Sequence, residues 1–249
     1  FWAPDVYQGA PTHITALMAI LVKTAAFAAF FRLFAVCFSS FHQWENIVAA
    51  FIVLSLIVGN ITAVFQSSTK RMLAYSGISH TGFMLMSLLF INPAAGSTGQ
   101  AAVIYYALAY SVASITAFTV LNLVIDKNGS DSFDSFNGLA KNNPALAFVM
   151  AVAMLSMAGI PPAAGFFAKY YIFVGLLSTP YKWLVIPAVL MALVGVYYYF
   201  RIIIAMYFKD SANNELVANM RIELKALLIA TTIITILLGL LPDLILRWI

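Results

Sequence analysis

Two lysines and a histidine stand deep inside long apolar runs, far from the charged residues at the ends of those runs. Lys23 lies in the run 11–36, His80 in 69–90 and Lys169 in 144–178. At about 1.5 Å per helical residue, Lys23 sits about 18 Å into its run, His80 about 16 Å into its own, and Lys169 about 14 Å before the end of the third. A hydrocarbon core about 30 Å thick would hold all three near its midplane. Insertion scales charge about 2.5–3.5 kcal/mol for a central lysine, so two of them need a reason. The structural reasons are that a lysine snorkels to an interface or binds carbonyls at a helix C-terminus, and that a lone histidine is satisfied by a hydroxyl. Ser76, one turn before His80, could be that hydroxyl. The chemical reason is proton transfer. All nine Asp and Glu residues fall in loops or near the ends of the apolar runs, so no acid accompanies either lysine. Desolvation disfavours the charged form of an amine, which lets it take up and release a proton near neutral pH. Lys23, His80 and Lys169, lined by Ser, Thr and Tyr, therefore read as a proton wire, with the missing carboxylate supplied from outside this chain.

The element that must position Lys169 is the run Pro144 to Ser178, which is longer than one crossing needs. Gly159, Ile160, Pro161 and Pro162 interrupt it, and two successive prolines remove two backbone donors and clash with the preceding turn. The run is therefore predicted to break at Gly159, Pro161 and Pro162, with Gly165 between the break and Lys169. Broken backbone at that depth survives only where protein or a water-filled cavity surrounds it.

Composition fits this. The chain is 63% hydrophobic and 9% charged, with a mean hydropathy of +0.95, which indicates an all-α polytopic membrane protein. The net charge of +4 is scattered over loops and helix ends without a basic stripe, so no nucleic-acid partner is expected. The single cysteine, Cys37, excludes an internal disulfide or a CxxC site. Residues 1–249 read as a single transmembrane domain. A lead-in loop (1–10) precedes seven spans at about 11–36, 46–65, 69–90, 100–125, 144–178 (broken), 182–208 and 224–241. Asn92 to Gly99 forms a turn, residues 209–223 a polar loop, and Pro242, Asp243, Arg247 and Trp248 an exit. In the loop 126–143, Phe133, Phe136 and Leu139 recur at helical spacing, which predicts a short amphipathic piece lying in the membrane interface. Tyr197 to Arg201 reads as an interfacial anchor, and the hydroxyl-rich span with Tyr110, Ser111, Ser114, Thr116 and Thr119 as an interior helix. Lys70, Arg71, Lys127, Lys141, Lys209, Arg221 and Lys225 share the N-terminal side, against Arg32, Lys182 and Arg247 opposite. By the positive-inside rule residue 1 faces the cytoplasm and residue 249 the outside.

The stretches FWAPDVYQGAPT (1–12), VKTAAFAAFFRLF (22–34), STKRMLAYSGISHTG (68–82) and LSMAGIPPAAGFFAKYYIF (155–173) resemble the antiporter-like membrane subunits of respiratory complex I, and the WAPDVYQGAP form is most like their subunit N branch. The resemblance implies a fourteen-helix subunit of two inverted repeats in a bacterial inner membrane. This chain would be helices 8 to 14, the second half-channel, an expectation that agrees with the absence of an initiator Met. It implies that Lys23 is the central lysine of helix 8, His80 the polar residue of helix 10, and Lys169 the terminal lysine of broken helix 12. The family's glutamate and lysine pair on helices 5 and 7 would precede Phe1. The implied activity is proton translocation coupled to NADH:quinone oxidoreduction, with other membrane-arm subunits, lipid, protons and internal water as partners. Flavin, iron–sulfur clusters and quinone would belong to other subunits, leaving no cofactor and no metal in this chain. Three other readings compete. A subunit of a multisubunit cation/proton antiporter shares the lysines, but PDVYQGAP departs from the antiporter style. A polytopic membrane enzyme using His80 as general base would need an acid or nucleophile near it, and none is visible. A structural scaffold would tolerate loss of both lysines.

Overall fold

The computed structural model describes residues 2–38, 43–91, 98–210 and 220–243. The expected 92–99 turn falls largely outside them, as do most of the 209–223 loop and the exit residues Arg247 and Trp248. Among the described residues the protein is built of helices, with one isolated bridge between Ser68 and Ser132. Six helices are long and apolar enough to cross a membrane: the first span Thr12–Val36, the second Gln43–Val64, the third Thr69–Phe90, the fourth from Gly99 to Asn128, the sixth Pro180–Phe208 and the seventh Ile222–Leu240. The fifth is two shorter apolar half-helices, Pro144–Ala158 and Ala164–Leu177.

The expected lead-in loop is instead a helix, Trp2–Gly9. Pro4 does not prevent it, because the N–H groups of a first helical turn have no intrahelical partner to lose. This helix is fastened to the start of the third span: Arg71 donates to Asp5 at 2.9 Å and to Gln8 at 2.7 Å, and the Lys70 ammonium donates to the Ala10 carbonyl. Thr15 ties it to the first span by donating to the Tyr7 carbonyl at 3.1 Å. The third span begins at a capped turn, where the Ser68 hydroxyl accepts from the Arg71 N–H at 3.1 Å.

The segment between the fourth and fifth spans also departs from expectation. It forms a 3-10 turn, Phe133–Phe136, and a short helix, Leu139–Asn142. Phe133, Phe136 and Leu139 are buried within the protein rather than facing lipid, because the fourth and sixth spans offer them an apolar seat. Nor is the Tyr197–Arg201 run a simple interfacial anchor. Tyr198 and Tyr199 are fully buried, and Arg201 donates to the Val64 carbonyl at 2.8 Å while its guanidinium lies 4.1 Å from the centre of the Phe133 ring. It thereby satisfies a carbonyl orphaned at the C-terminal end of the second span.

Buried apolar side chains form two clusters. One holds Met157, Ala158, Tyr198 and Tyr199, the other Phe83, Tyr106, Tyr110 and Ala168. The fourth span contributes to both and packs against the first and seventh spans and both half-helices. The polar side chains singled out by the sequence lie along the seam between the clusters.

Candidate functional site

The broken span sets the site. The first half-helix ends at Gly159, whose φ of +83° and ψ of 43° suit a residue without a Cβ. The N–H groups of Gly159 and Ile160 both return to the Leu155 carbonyl at 3.0 Å. Pro161 and Pro162 carry the chain across, and the second half-helix starts at Ala164. Across the gap the Gly165 N–H donates to the Ser156 hydroxyl at 3.1 Å, and a Cβ at Gly165 would collide with the Ser156 carbonyl. The half-helices can approach this closely only through a glycine.

Lys169 reaches back into the break. Its ammonium donates to the Ala158 carbonyl at 2.7 Å and the Met157 carbonyl at 3.1 Å, and it lies 5.1 Å from the centre of the Phe83 ring. The residue is 7% exposed. It therefore does what a structural lysine does, satisfying the last carbonyls of the first half-helix, where the helix dipole also favours a cation.

His80 lies on the third span, 5% exposed. It ignores Ser76, whose hydroxyl donates to the Leu73 carbonyl at 2.8 Å. Tyrosines from two other spans hold the imidazole: Tyr106 on Nδ1 at 2.7 Å and Tyr199 on Nε2 at 3.0 Å. In a neutral imidazole one nitrogen donates and the other accepts, so the two hydroxyls play opposite roles.

Lys23 follows directly on a π-helical turn, Met18–Val22, that widens the first span. Its ammonium donates to the Gly77 carbonyl at 2.7 Å and to the Tyr110 hydroxyl at 3.1 Å. Tyr110 is the link between Lys23 and His80, since its ring packs on the imidazole with centroids 4.7 Å apart. Beyond His80 a cavity of about 10 Å³ is lined by Tyr106, Tyr110, Ser156, Met157 and Gly165, room for the centre of about one water. A wider groove of about 250 Å³, lined by Tyr7, Lys23 and Thr81 among apolar neighbours, opens on the Lys23 side.

The three residues named from the sequence thus converge. None of the ion pairs found among the described residues involves them: Arg71–Asp5, Lys141–Asp210 and Lys209–Asp134 are all in the loops and helix ends of one side. Within the described residues no cluster of His, Cys, Asp and Glu could hold a metal ion, and a chain with one cysteine does not fit an iron–sulfur cluster. Sequence reasoning missed Tyr106, Tyr199 and the linking role of Tyr110. The available signal was that tyrosine hydroxyls in apolar spans need partners when buried.

Comparison with known proteins agrees with this architecture. Residues 1–195 match the family described as NADH:quinone oxidoreductase/Mrp antiporter, TM. NADH-quinone oxidoreductase subunit N of Cytophaga hutchinsonii is 39% identical over 249 residues, covering 99% of this chain and 53% of the relative. A chain in respiratory complex I from Thermus thermophilus with bound aureothin superposes with a TM-score of 0.83 at 35% identity, over 99% of this chain and 53% of that one. A chain of the Mrp complex from Dietzia shares the fold with a TM-score of 0.87 at 20% identity, over 99% of this chain and 53% of its own. This chain spans about half the length of the curated relatives it matches. The resemblance to antiporter-like subunits read from the sequence is borne out, and the protein belongs to the NADH:quinone oxidoreductase/Mrp antiporter transmembrane family.

Proposed function

We propose that this chain forms the second, proton-releasing half of a subunit N type membrane subunit, moving protons across a bacterial inner membrane as quinone is reduced elsewhere in the complex. The observation that carries the reading is that Lys23, His80 and Lys169 from separate spans lie along one seam, with Tyr110 bonded to Lys23 and packed on His80, and a water-sized cavity beside His80 lined by Met157 and Ala168 next to the seat of Lys169. Lys23 hands a proton by way of Tyr110 and water to His80. His80 passes it across the cavity to Lys169, and Lys169 releases it outward. Each residue can gain and lose a proton without a carboxylate beside it, so the electrostatic trigger comes from neighbouring subunits or from sequence outside this chain. Under this reading the partners are the other membrane-arm subunits, lipid, protons and internal water. Flavin, iron–sulfur clusters and quinone belong to those other subunits. The side carrying Lys70, Arg71, Lys141 and Lys209 faces the cytoplasm, with residue 1 on that side.

The test is Lys23→Ala and Lys169→Ala in the full-length subunit, assembled in the complex in inverted vesicles, with proton uptake measured beside NADH:quinone activity. Each substitution is expected to lower pumping about tenfold or more, because a positioned proton carrier is lost. Unchanged pumping and quinone reductase activity in both variants would falsify the proposal.

A further inference from the structure

The basic end of the molecule holds a polar cavity that none of Lys23, His80 and Lys169 lines. It measures about 270 Å³ and is walled by Ser67, Ser132, Asp134, Arg201 and Lys209, room for several waters or one phosphate group. Three segments build it: the turn after the second span, the connection between the fourth and fifth, and the end of the sixth. Arg201 sits seven residues before the last residue of the sixth span, Phe208, about 10 Å back from that end. Its Nη1 donates to the Val64 and Gln66 carbonyls at 2.8 and 3.3 Å, and its guanidinium lies on the Phe133 ring. These contacts fix the guanidinium fork without cancelling its charge, and none of the ion pairs among the described residues includes Arg201. Lys209 does meet a carboxylate, Asp134 at 3.6 Å, but both side chains are more than half exposed, so solvent screens the pair. Two cations and one carboxylate leave the cavity with a net charge of +1. The surface around it is apolar. Tyr197, Ile204 and Phe208 share the Arg201 face of the sixth span and are all exposed, and Phe65, just past the second span, is 79% exposed.

We propose that this cavity seats the phosphodiester headgroup of an anionic phospholipid from the leaflet on the basic side, with the acyl chains lying along Tyr197, Ile204 and Phe65. A planar guanidinium matches phosphate oxygens in a fork, and the Lys209 ammonium adds a point charge. The Ser67 and Ser132 hydroxyls can donate to the same group. A phosphodiester carries one negative charge, which the net charge of the cavity balances. Basic cavities between membrane spans recognise lipid headgroups in this way, and the exposed aromatic and aliphatic strip supplies the apolar half of the fit. Because the walls come from three segments, a bound phosphate ties them together at the end where Arg201 already joins the sixth span to the second. The seat is independent of the proton relay.

The experiment places the photo-crosslinking residue p-benzoylphenylalanine at position 65 of the full-length subunit, assembled in its complex. The complex is reconstituted into vesicles of equimolar phosphatidylglycerol and phosphatidylcholine, and mass spectrometry reads the lipid adducts on the peptide that carries position 65. Phosphatidylglycerol adducts are expected to exceed phosphatidylcholine adducts about fivefold, the effect of one net cation near the membrane surface. Lys209→Gln and Arg201→Gln each bring the cavity to neutrality and are expected to bring the ratio close to one. Asp134→Asn raises the net charge and is expected to raise the ratio above wild type. Lys209 and Asp134 are exposed, so their variants test the seat without disturbing the carbonyls that Arg201 holds. An excess of inorganic phosphate, matched by chloride at the same ionic strength, is expected to leave the ratio unchanged. Equal adducts in wild type overturn the proposal, as does a wild-type ratio in either glutamine variant or no rise in Asp134→Asn. A ratio that collapses in phosphate but not in chloride overturns it in favour of free phosphate, and adducts to a neighbouring polypeptide in place of lipid overturn it in favour of a protein contact.

Discussion

Gly159→Ala should displace the Lys169 side chain while leaving that residue itself unchanged. Gly159 has φ +83°, and a Cβ there would lie 2.9 Å from Lys169 Cδ, 3.0 Å from Nζ and 3.2 Å from Cε. Ordinary van der Waals contact begins at 3.4 Å, so the nearest methylene must retreat by 3.4 − 2.9 = 0.5 Å. Holding an L-residue in the left-handed region costs about 1–2 kcal/mol. The lysine's bonds to the Met157 and Ala158 carbonyls cannot both survive the retreat, and losing one hydrogen bond from a charged donor costs about 1.5–3 kcal/mol. The sum is a destabilisation of about 2.5–5 kcal/mol. Reversible unfolding of the full-length subunit in mixed detergent micelles measures it, and a double-mutant cycle with Lys169→Met isolates the clash. In the methionine background only the backbone cost of about 1–2 kcal/mol should remain. Pumping should fall in Gly159→Ala because Lys169 no longer sits at the break. An equal cost of Gly159→Ala with and without the lysine would refute the reasoning.

Other perturbations test other parts of the fold. Tyr105→Phe should cost about 1 kcal/mol, the net worth of one buried hydrogen bond, in the same unfolding assay. The Lys141 hydrogen bond holds the exposed Asp210 carboxyl below its usual range. A depressed folded value gives stability that is present above the unfolded carboxylate pKa of about 3.9 and lost as pH falls through the folded one. The difference in melting temperature between wild type and Asp210→Asn should therefore shrink only on that acid side. In a Cys37→Ser background, a cysteine at the exposed position Ser130 should react with an impermeant thiol reagent from the cytoplasmic face, and labelling from the opposite face would reverse the proposed orientation.

Lys23, His80 and Lys169 were legible in the sequence because an ionisable group in an apolar run stands out whatever the packing. The break was equally plain, since no helix accommodates two consecutive prolines at mid-span. What the sequence hid were residues whose type does not reveal their environment. Tyr198 and Tyr199 stand beside Arg201 as interfacial tyrosines do, yet they face the third span's imidazole and the second span's asparagine. Phe133, Phe136 and Leu139 have the spacing of a membrane-surface helix, and only the neighbouring spans decide that the stripe turns inward. The π-helical turn before Lys23 carries no composition signal, because MAILV suits any apolar helix. For the same reason the Trp2–Gly9 helix was masked by a proline that its first turn tolerates.

The seventh span meets the break backbone to backbone. A Cβ at Gly239 would collide with the Pro162 carbonyl and come within 2.6 Å of Ala163 C. Side chains yield by turning to another rotamer, but two main chains in contact have no such slack. The last helix is therefore a strut set against the hinge. Its contact with Pro162 and Ala163 leaves the break no room to close further on that side, close to the Ala158 carbonyl that seats the Lys169 ammonium.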